Sequence, residues 1–278
     1  MNVNLLDCTL RDGTYLFSPS YQEKLDILEQ LILAGIKYIE IGHKVSYGID
    51  KKADKELVDL VKKAKEAQNI KVGTIIIPTL LKPNIIENAF RIGLDFIRIG
   101  EHVNDINKVF ESVEKAKKLD IPKIFIQLIK ISEANEASLI CNLKALNNLG
   151  VDCVYIVDSN GCLVPRDIIR LYNLVREHTD SMVGFHAHNN NNLALVNSYV
   201  FSQIGGDLVD GTLGGIGRDA GNTVIENIAY LLSATYQLGQ VNYTKLAEVA
   251  FHYCSRYSVS SRNESHSLYM SSICGNGD

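Results

Sequence analysis

His186-Ala187-His188 places two imidazoles two residues apart. On a strand, residues i and i+2 point to the same side, so both rings can hold one divalent cation. The alternative is a pair of polar histidines satisfied by hydrogen bonds. A carboxylate from another strand would complete a set of two histidines and one carboxylate, which leaves coordination sites open to a substrate. Asp12 is the candidate, although an Asp before Gly is also a common turn or cap residue. Arg11 beside it is either a structural ion-pair partner or a fixed positive charge for an oxyanion or carboxylate, a task that suits the guanidinium fork. The run Gly214-Gly215-Ile216-Gly217-Arg218-Asp219-Ala220-Gly221-Asn222 has two readings as well. It can offer backbone N–H groups to a phosphate or carboxylate where a helix begins, or it can be a tight loop that only glycine fits.

These residues need a frame that brings distant segments together. Apolar, β-branched runs predict strands near 3–8, 36–42, 71–77, 95–100, 123–129, 152–157, 182–187 and 207–213. Helical spacing follows each one, near 21–34, 51–68, 83–92, 104–118, 133–148, 165–177, 191–204 and 222–238. Gly35, Gly93, Gly150 and the Gly205-Gly206 pair each close a helix before the next strand. Eight strand–helix units imply a closed (β/α)8 TIM barrel over residues 1–240, with a doubly wound open sheet as the alternative. Residues 241–278 form an extension on the barrel, with one helical stretch over 243–257 and a serine-rich end. A parallel barrel carries its active site at the C-terminal mouth of its strands. Polar residues expected there are Arg11 and Asp12, Glu40 and His43, Arg98, Glu101 and His102, Gln127 and Lys130, Asp158 and Ser159, the two histidines, and Asp210 and Thr212.

The composition fits such a frame. The chain has 278 residues, 46% apolar and 22% charged, which are globular proportions. Twenty-eight basic residues against 32 acidic ones give a net charge of −4, so no global basic field attracts nucleic acid. The longest apolar runs fall far short of the roughly 20 residues of a membrane span. The opening residues show no basic and apolar leader pattern, so a cytoplasmic protein is expected. Six cysteines without a C-x-x-C pair read as reduced thiols.

Asp7-Cys8-Thr9-Leu10-Arg11-Asp12-Gly13, Ile39-Glu40-Ile41-Gly42, His186-Ala187-His188-Asn189, and Gly214 through Asn222 followed by Glu226 resemble the metal-dependent pyruvate aldolase and carboxyltransferase superfamily. It includes 4-hydroxy-2-oxovalerate aldolases, 3-hydroxy-3-methylglutaryl-CoA lyases and isopropylmalate or homocitrate synthases. The resemblance runs in order from residue 3 to about residue 235. It implies that Asp12, His186 and His188 hold a divalent metal, with Asn222 a further ligand. It implies that Arg11 stabilises an enolate oxygen and that Glu40 lines the site. Asp158 and Ser159 match a D-S stretch whose serine contacts the oxo acid, and Asp158, Arg98, Gln127 and Tyr269 complete the expected substrate contacts. Mn2+ suits the donor set best, with Co2+, Zn2+ or a hydrated Mg2+ as alternatives.

The sequence departs from the aldolases where they carry a catalytic histidine, two residues after the glycine of R-D-G. Here that position is Tyr15. A phenol with its ordinary pKa of about 10 is a poor base at neutral pH, so the base falls to His43, His102 or a metal-bound water. The lyases' loop cysteine is replaced by Ile216, which argues against that lyase. The chain stops at Asp278, so neither a dehydrogenase-partner surface nor a regulatory domain is expected, while a homo-oligomer is possible. The expected activity is that of a class II aldolase or lyase working through a pyruvate-like enolate of a small 2-oxo acid. A Claisen-type synthase joining acyl-CoA to a 2-oxo acid, or a non-catalytic metal-binding barrel, are the competing readings.

Overall fold

The computed structural model describes residues 3–42, 51–78, 85–236 and 241–254. His43 and Tyr269 lie outside the described residues. Eight parallel strands close on themselves in sequence order: β1 Asn4–Asp7, β2 Tyr38–Glu40, β3 Lys71–Ile76, β4 Phe96–His102, β5 Ile124–Ile129, β6 Cys153–Asp158, β7 Met182–Ala187 and β8 Leu208–Gly211. Closure is made by β1 against β8, with Leu6 opposite Asp210 and Asp7 opposite Gly211. The open-sheet alternative is thereby excluded.

The helices between them are α1 Tyr21–Leu33, α2 Lys51–Lys65, α3 Ile85–Arg91, α4 Phe110–Lys118, α5 Glu136–Leu149, α6 Pro165–His178, α7 Ala194–Gln203 and α8 Ile225–Tyr236. Local chemistry sets their ends. The Ser20 hydroxyl accepts from the Glu23 N–H, and the Glu23 carboxylate accepts from the Ser20 N–H, so α1 starts on a reciprocal cap. Asn135 caps α5, and Gly150 ends it at φ 60°. The expected helix over 104–118 is split into a 3-10 segment, Val103–Val109, and α4. The helices expected from 191 and 222 start three residues later. The Asn189 side chain accepts from the Ala194 N–H, and Val224 is still bridged to Thr212. After the barrel, α9 Tyr243–Val249 packs against α1 and α8, and the π-helical turn that continues it, Ala250–Cys254, packs against the 3-10 turn Leu213–Gly215 after β8. Among the described residues no helix is long and apolar enough to cross a membrane.

Two cores result. One lies between sheet and helices and holds most of the buried Ile, Leu and Val. The other fills the barrel axis with Leu6, Cys8, Phe96, Phe125, Cys153, Tyr155, Val157 and Leu208. Its rings stack, with Phe96 and Phe125 centroids 5.0 Å apart. Glycines on neighbouring strands make room for them. A Cβ on Gly73 would lie 2.2 Å from the Phe96 ring, and one on Gly184 would lie 2.5 Å from the Tyr155 ring. The N-terminal part of the axis is thus an aromatic plug. Directly above it the inward positions change to Arg98, Glu40, Gln127, His186 and Asp210, all buried.

Candidate active site

The turn after β1 is built by its own motif. The Thr9 N–H and hydroxyl donate to the two oxygens of Asp7 at 2.9 and 2.8 Å, and the same hydroxyl accepts from the Leu213 N–H at 2.9 Å. This ties the turn to the loop after β8 and swings Arg11 and Asp12 over the mouth, where Asp12 opens a 3-10 turn, Asp12–Tyr15.

Arg11 is held on two sides. Its Nε donates to Glu40 Oε2 at 2.7 Å, and its Nη1 pairs with Asp12. Among the described residues no hydrogen bond claims Nη2. Burial opposes ionisation of Asp12, but the Arg11 guanidinium, helped by His188, His186 and the Asn222 amide, holds its carboxyl well below the usual carboxylate range.

The two imidazoles share a face of β7 and its extension, 5.3 Å apart and nearly perpendicular. His186 Nδ1 meets Asp210 Oδ2 at 2.9 Å, and His188 Nδ1 meets the Arg218 carbonyl at 3.3 Å. With each Nδ1 engaged, Nε2 is the nitrogen left for another partner. Burial, with Arg218 and His186 nearby and Asp12 opposing, pushes the His188 pKa down to about 3, so its ring is neutral and able to ligate.

One ligand atom each from Asp12, His186 and His188 lies within 4.8 Å of the others, and all three residues are buried. Two further observations fit a cation there. Asn222 donates its amide N–H to Asp12 at 2.5 Å, while its buried Oδ1 has no hydrogen-bond partner among the described residues. Around the site, Arg11 and Arg98 face Asp12, Glu40 and Asp210, one negative charge in excess. An unbalanced buried charge is costly, and a divalent ion offsets it. Cys8, His186 and Asp210 form a second cluster of donors. It is not a second cation site, because Arg98 already sits on it: Nη2 pairs with Asp210 and Nη1 lies 3.4 Å from the Cys8 sulfur.

The glycine-rich loop packs against this centre. The N–H groups of Gly214, Gly215, Ile216, Ala220, Gly221 and Asn222 all donate within the protein. Gly217 packs on the ligands: a Cβ there would lie 2.3 Å from the Asn222 amide and 2.8 Å from Asp12 Oδ2. Ile216 rests on Gly13.

The pocket above the centre is lined by Arg11, Asp12, Tyr15, Gln127, Ser159, His186, His188 and Arg218, and on its apolar side by Ile75, Ile77, Ile129 and Val157. The structure therefore brings together Arg11, Asp12, Tyr15, Gln127, Ser159 and both histidines, with Glu40 and Asn222 immediately behind them.

Two expected substrate contacts lie elsewhere. Arg98 is not at a strand end: β4 continues four residues past it, and its side chain is 0% exposed beneath the pocket. Asp158 faces away from the axis, where its carboxylate accepts from the Cys162 and Leu163 N–H groups at 3.1 Å each. Burial, opposed by those N–H groups, raises its pKa to about 6. His102 is paired with Glu133 at 2.8 Å outside the pocket lining. Sequence reasoning placed Asp210 at the mouth but gave it no role, and it gave none to Arg218. Asp210 had a signal, an acidic residue at an inward position of β8, whereas the role of the Arg218 carbonyl left none.

Comparison with known proteins identifies relatives of the whole barrel. The chain is 33% identical over 254 residues to the oxaloacetate decarboxylase of Mycobacterium tuberculosis, covering 88% of this chain and 74% of that one. It is 30% identical over 258 residues to the 4-hydroxy-2-oxovalerate aldolase of Carboxydothermus hydrogenoformans, covering 89% and 76%. In fold it is similar to the carboxyl transferase domain of pyruvate carboxylase from Rhizobium etli, with a TM-score of 0.77 at 16% identity, over 96% of this chain and 48% of that one. The HMGL-like family model matches residues 2–251. With nearly the whole barrel covered and the inward-facing polar residues arranged as described, the chain belongs to the HMGL-like family.

Proposed function

We propose that this chain, an enzyme of carbon–carbon bond lysis, makes or breaks a bond next to the pyruvate-like enolate of a small 2-oxo acid. The observation that carries the reading is the convergence of Asp12, His186 and His188 beside Arg11 at one pocket. Asp12, His186 and His188 would hold a divalent cation, with the free Oδ1 of Asn222 as a fourth donor. Two nitrogens and carboxylate oxygen suit Mn2+ best, and Mg2+, Co2+ or Zn2+ also fit the donors. When bound, the cation supplies Lewis-acid polarisation of the 2-oxo group.

The chain's own residues do the rest. Arg11, fixed by Glu40 and Asp12, lines the pocket with an Nη2 that no hydrogen bond claims among the described residues. There it stabilises negative charge on the enolate oxygen without having to reorganise. Ser159 and Gln127 offer polar contacts on the facing wall, and Ile75, Ile77, Ile129 and Val157 exclude water from the carbon fragment. Tyr15 lines the same pocket, and we assign to its hydroxyl the proton delivered to the enolate carbon.

A second reading, loss of carbon dioxide from a 2-oxo dicarboxylate, passes through the same enolate. It is favoured by the pocket's described lining: apart from Asp12, His186 and His188, that lining has no carboxylate or imidazole. Aldol cleavage needs a base for the hydroxyl proton, whereas decarboxylation needs none.

The test is exchange of pyruvate methyl protons in deuterium oxide, followed by NMR. Exchange is expected with Mn2+ or Mg2+ present and is expected to vanish in Asp12→Ala and His186→Ala. Wild-type protein that shows no metal-dependent exchange, or mutants that retain it, would refute the reading.

A further inference from the structure

Arg98 lies at the barrel axis, fully buried, one layer below the pocket. Its guanidinium reaches five other strands or their ends. Nη1 donates to Glu40 Oε2 at 3.1 Å and approaches Cys8 Sγ at 3.4 Å, while Nη2 donates to Gln127 Oε1 at 2.9 Å and pairs with Asp210. Its Cζ sits 4.3 Å from the centre of the Tyr155 ring.

The partners matter more than their number. Asp210 is the carboxylate on His186 Nδ1, and Glu40 is the carboxylate on Arg11 Nε. Arg98 is therefore the one cation shared by the group that orients a cation ligand and the group that orients the enolate-stabilising arginine.

We propose that Arg98 is a positioning residue for the metal centre: by clamping Asp210 against His186 it fixes which imidazole nitrogen faces the cation, and by clamping Glu40 it fixes Arg11. The inference rests on reading Asp12, His186 and His188 as cation ligands. The physical basis is orientation. A carboxylate hydrogen-bonded to one imidazole nitrogen keeps the proton there and directs the other lone pair outward. That carboxylate can hold its place only if its charge is countered, and Asp210 is 2% exposed, with His186 and Arg98 both on its Oδ2 and no partner for its buried Oδ1 among the described residues. Without Arg98, Asp210 would face His186 and Cys8 as a buried, unpaired carboxylate, free to turn away from the ring. A lysine keeps the charge but not the planar fork, so it can hold Asp210 or Glu40 and not both. The stack on Tyr155 fixes the plane of that fork.

The experiment compares wild type with Arg98→Met, Arg98→Lys and Asp210→Asn. Mn2+ affinity is measured by electron paramagnetic resonance of the free ion. The His186 tautomer in metal-free protein is read from long-range nitrogen–proton NMR correlations. Thermal unfolding reports whether each variant is folded. Arg98→Met is expected to bind Mn2+ about 10- to 100-fold more weakly and to show His186 as a mixture of tautomers, with Arg98→Lys between it and wild type. If Arg98→Met does not fold, Asp210→Asn carries the same expectation through the other side of the clamp. A purely structural role would lower the melting temperature and leave the tautomer alone. Folded variants with wild-type Mn2+ affinity and an unchanged tautomer would overturn the proposal while leaving the proposed function intact. Wild-type protein with no Mn2+ affinity would overturn both.

Discussion

Glu226, in the first turn of α8, accepts the Gly214 N–H with both carboxylate oxygens, at 3.1 and 3.2 Å. Burial, only partly opposed by these backbone donors, raises its pKa from the ordinary 4.5 to about 7. Replacing it by glutamine keeps the shape and the acceptor and removes the titration. The sign follows from linkage. In the wild type, the folded state binds this proton more tightly than the unfolded state does. The associated stability is complete below pH 4.5 and is lost as pH rises through 7. At 1.36 kcal/mol per unit, that loss is about 2.5 kcal/mol between pH 5 and pH 8. Glu226→Gln should therefore gain about 2 to 3 kcal/mol on the wild type across that interval. Asp7 adds to the effect, since its own pKa of about 7 is raised by burial and further by the charge of Glu226. Paired urea unfolding curves at pH 5, 6, 7 and 8 measure the difference, and other titrating groups largely cancel in it. A difference that stays constant with pH, or a variant less stable than wild type at pH 8, would refute the reasoning.

Two further outcomes follow from the site and its foundation. Arg11→Lys should lower kcat about 100- to 1,000-fold in a pyruvate-releasing assay, because an ammonium cannot meet Glu40, Asp12 and an enolate oxygen together; a change confined to KM would show that Arg11 only binds substrate. Gly184→Ala places a methyl group 2.5 Å from the Tyr155 ring, so it should cost about 1 to 3 kcal/mol and lower the calorimetric Tm by several degrees, and an unchanged Tm would mean that the aromatic plug is loosely filled.

The repeating rhythm was readable because a parallel barrel buries both faces of each strand, and Ile75, Val154 or Val209 announce that without their neighbours. The pairing of His186 with His188 was readable for a related reason: alternation on a strand is a local rule. The same rule explains the misplacement of Asp158. Tyr155, Val157 and Ser159 share the inward parity on β6, so the residue between the last two must turn outward, and both members of the D-S pair could not line one pocket. Arg98 has the correct parity but the wrong depth. Depth depends on how far each strand runs before its loop, and β4 extends to His102 where its apolar run ends at Gly100. The late starts of α7 and α8 arise from side-chain and bridge hydrogen bonds to residues in other loops, which no local pattern carries.

The guanidinium of Arg98 finds its partners 29 to 112 positions away along the chain. No hairpin satisfies it, and a chain with its first five or six strands assembled offers it Glu40 but holds the charged group in an apolar shaft with its second counterion, Asp210, still missing. Partial assemblies are thereby penalised relative to both the open chain and the complete ring. The barrel is expected to come together in an all-or-none manner, its last strand docking as Asp210 meets the Arg98 guanidinium.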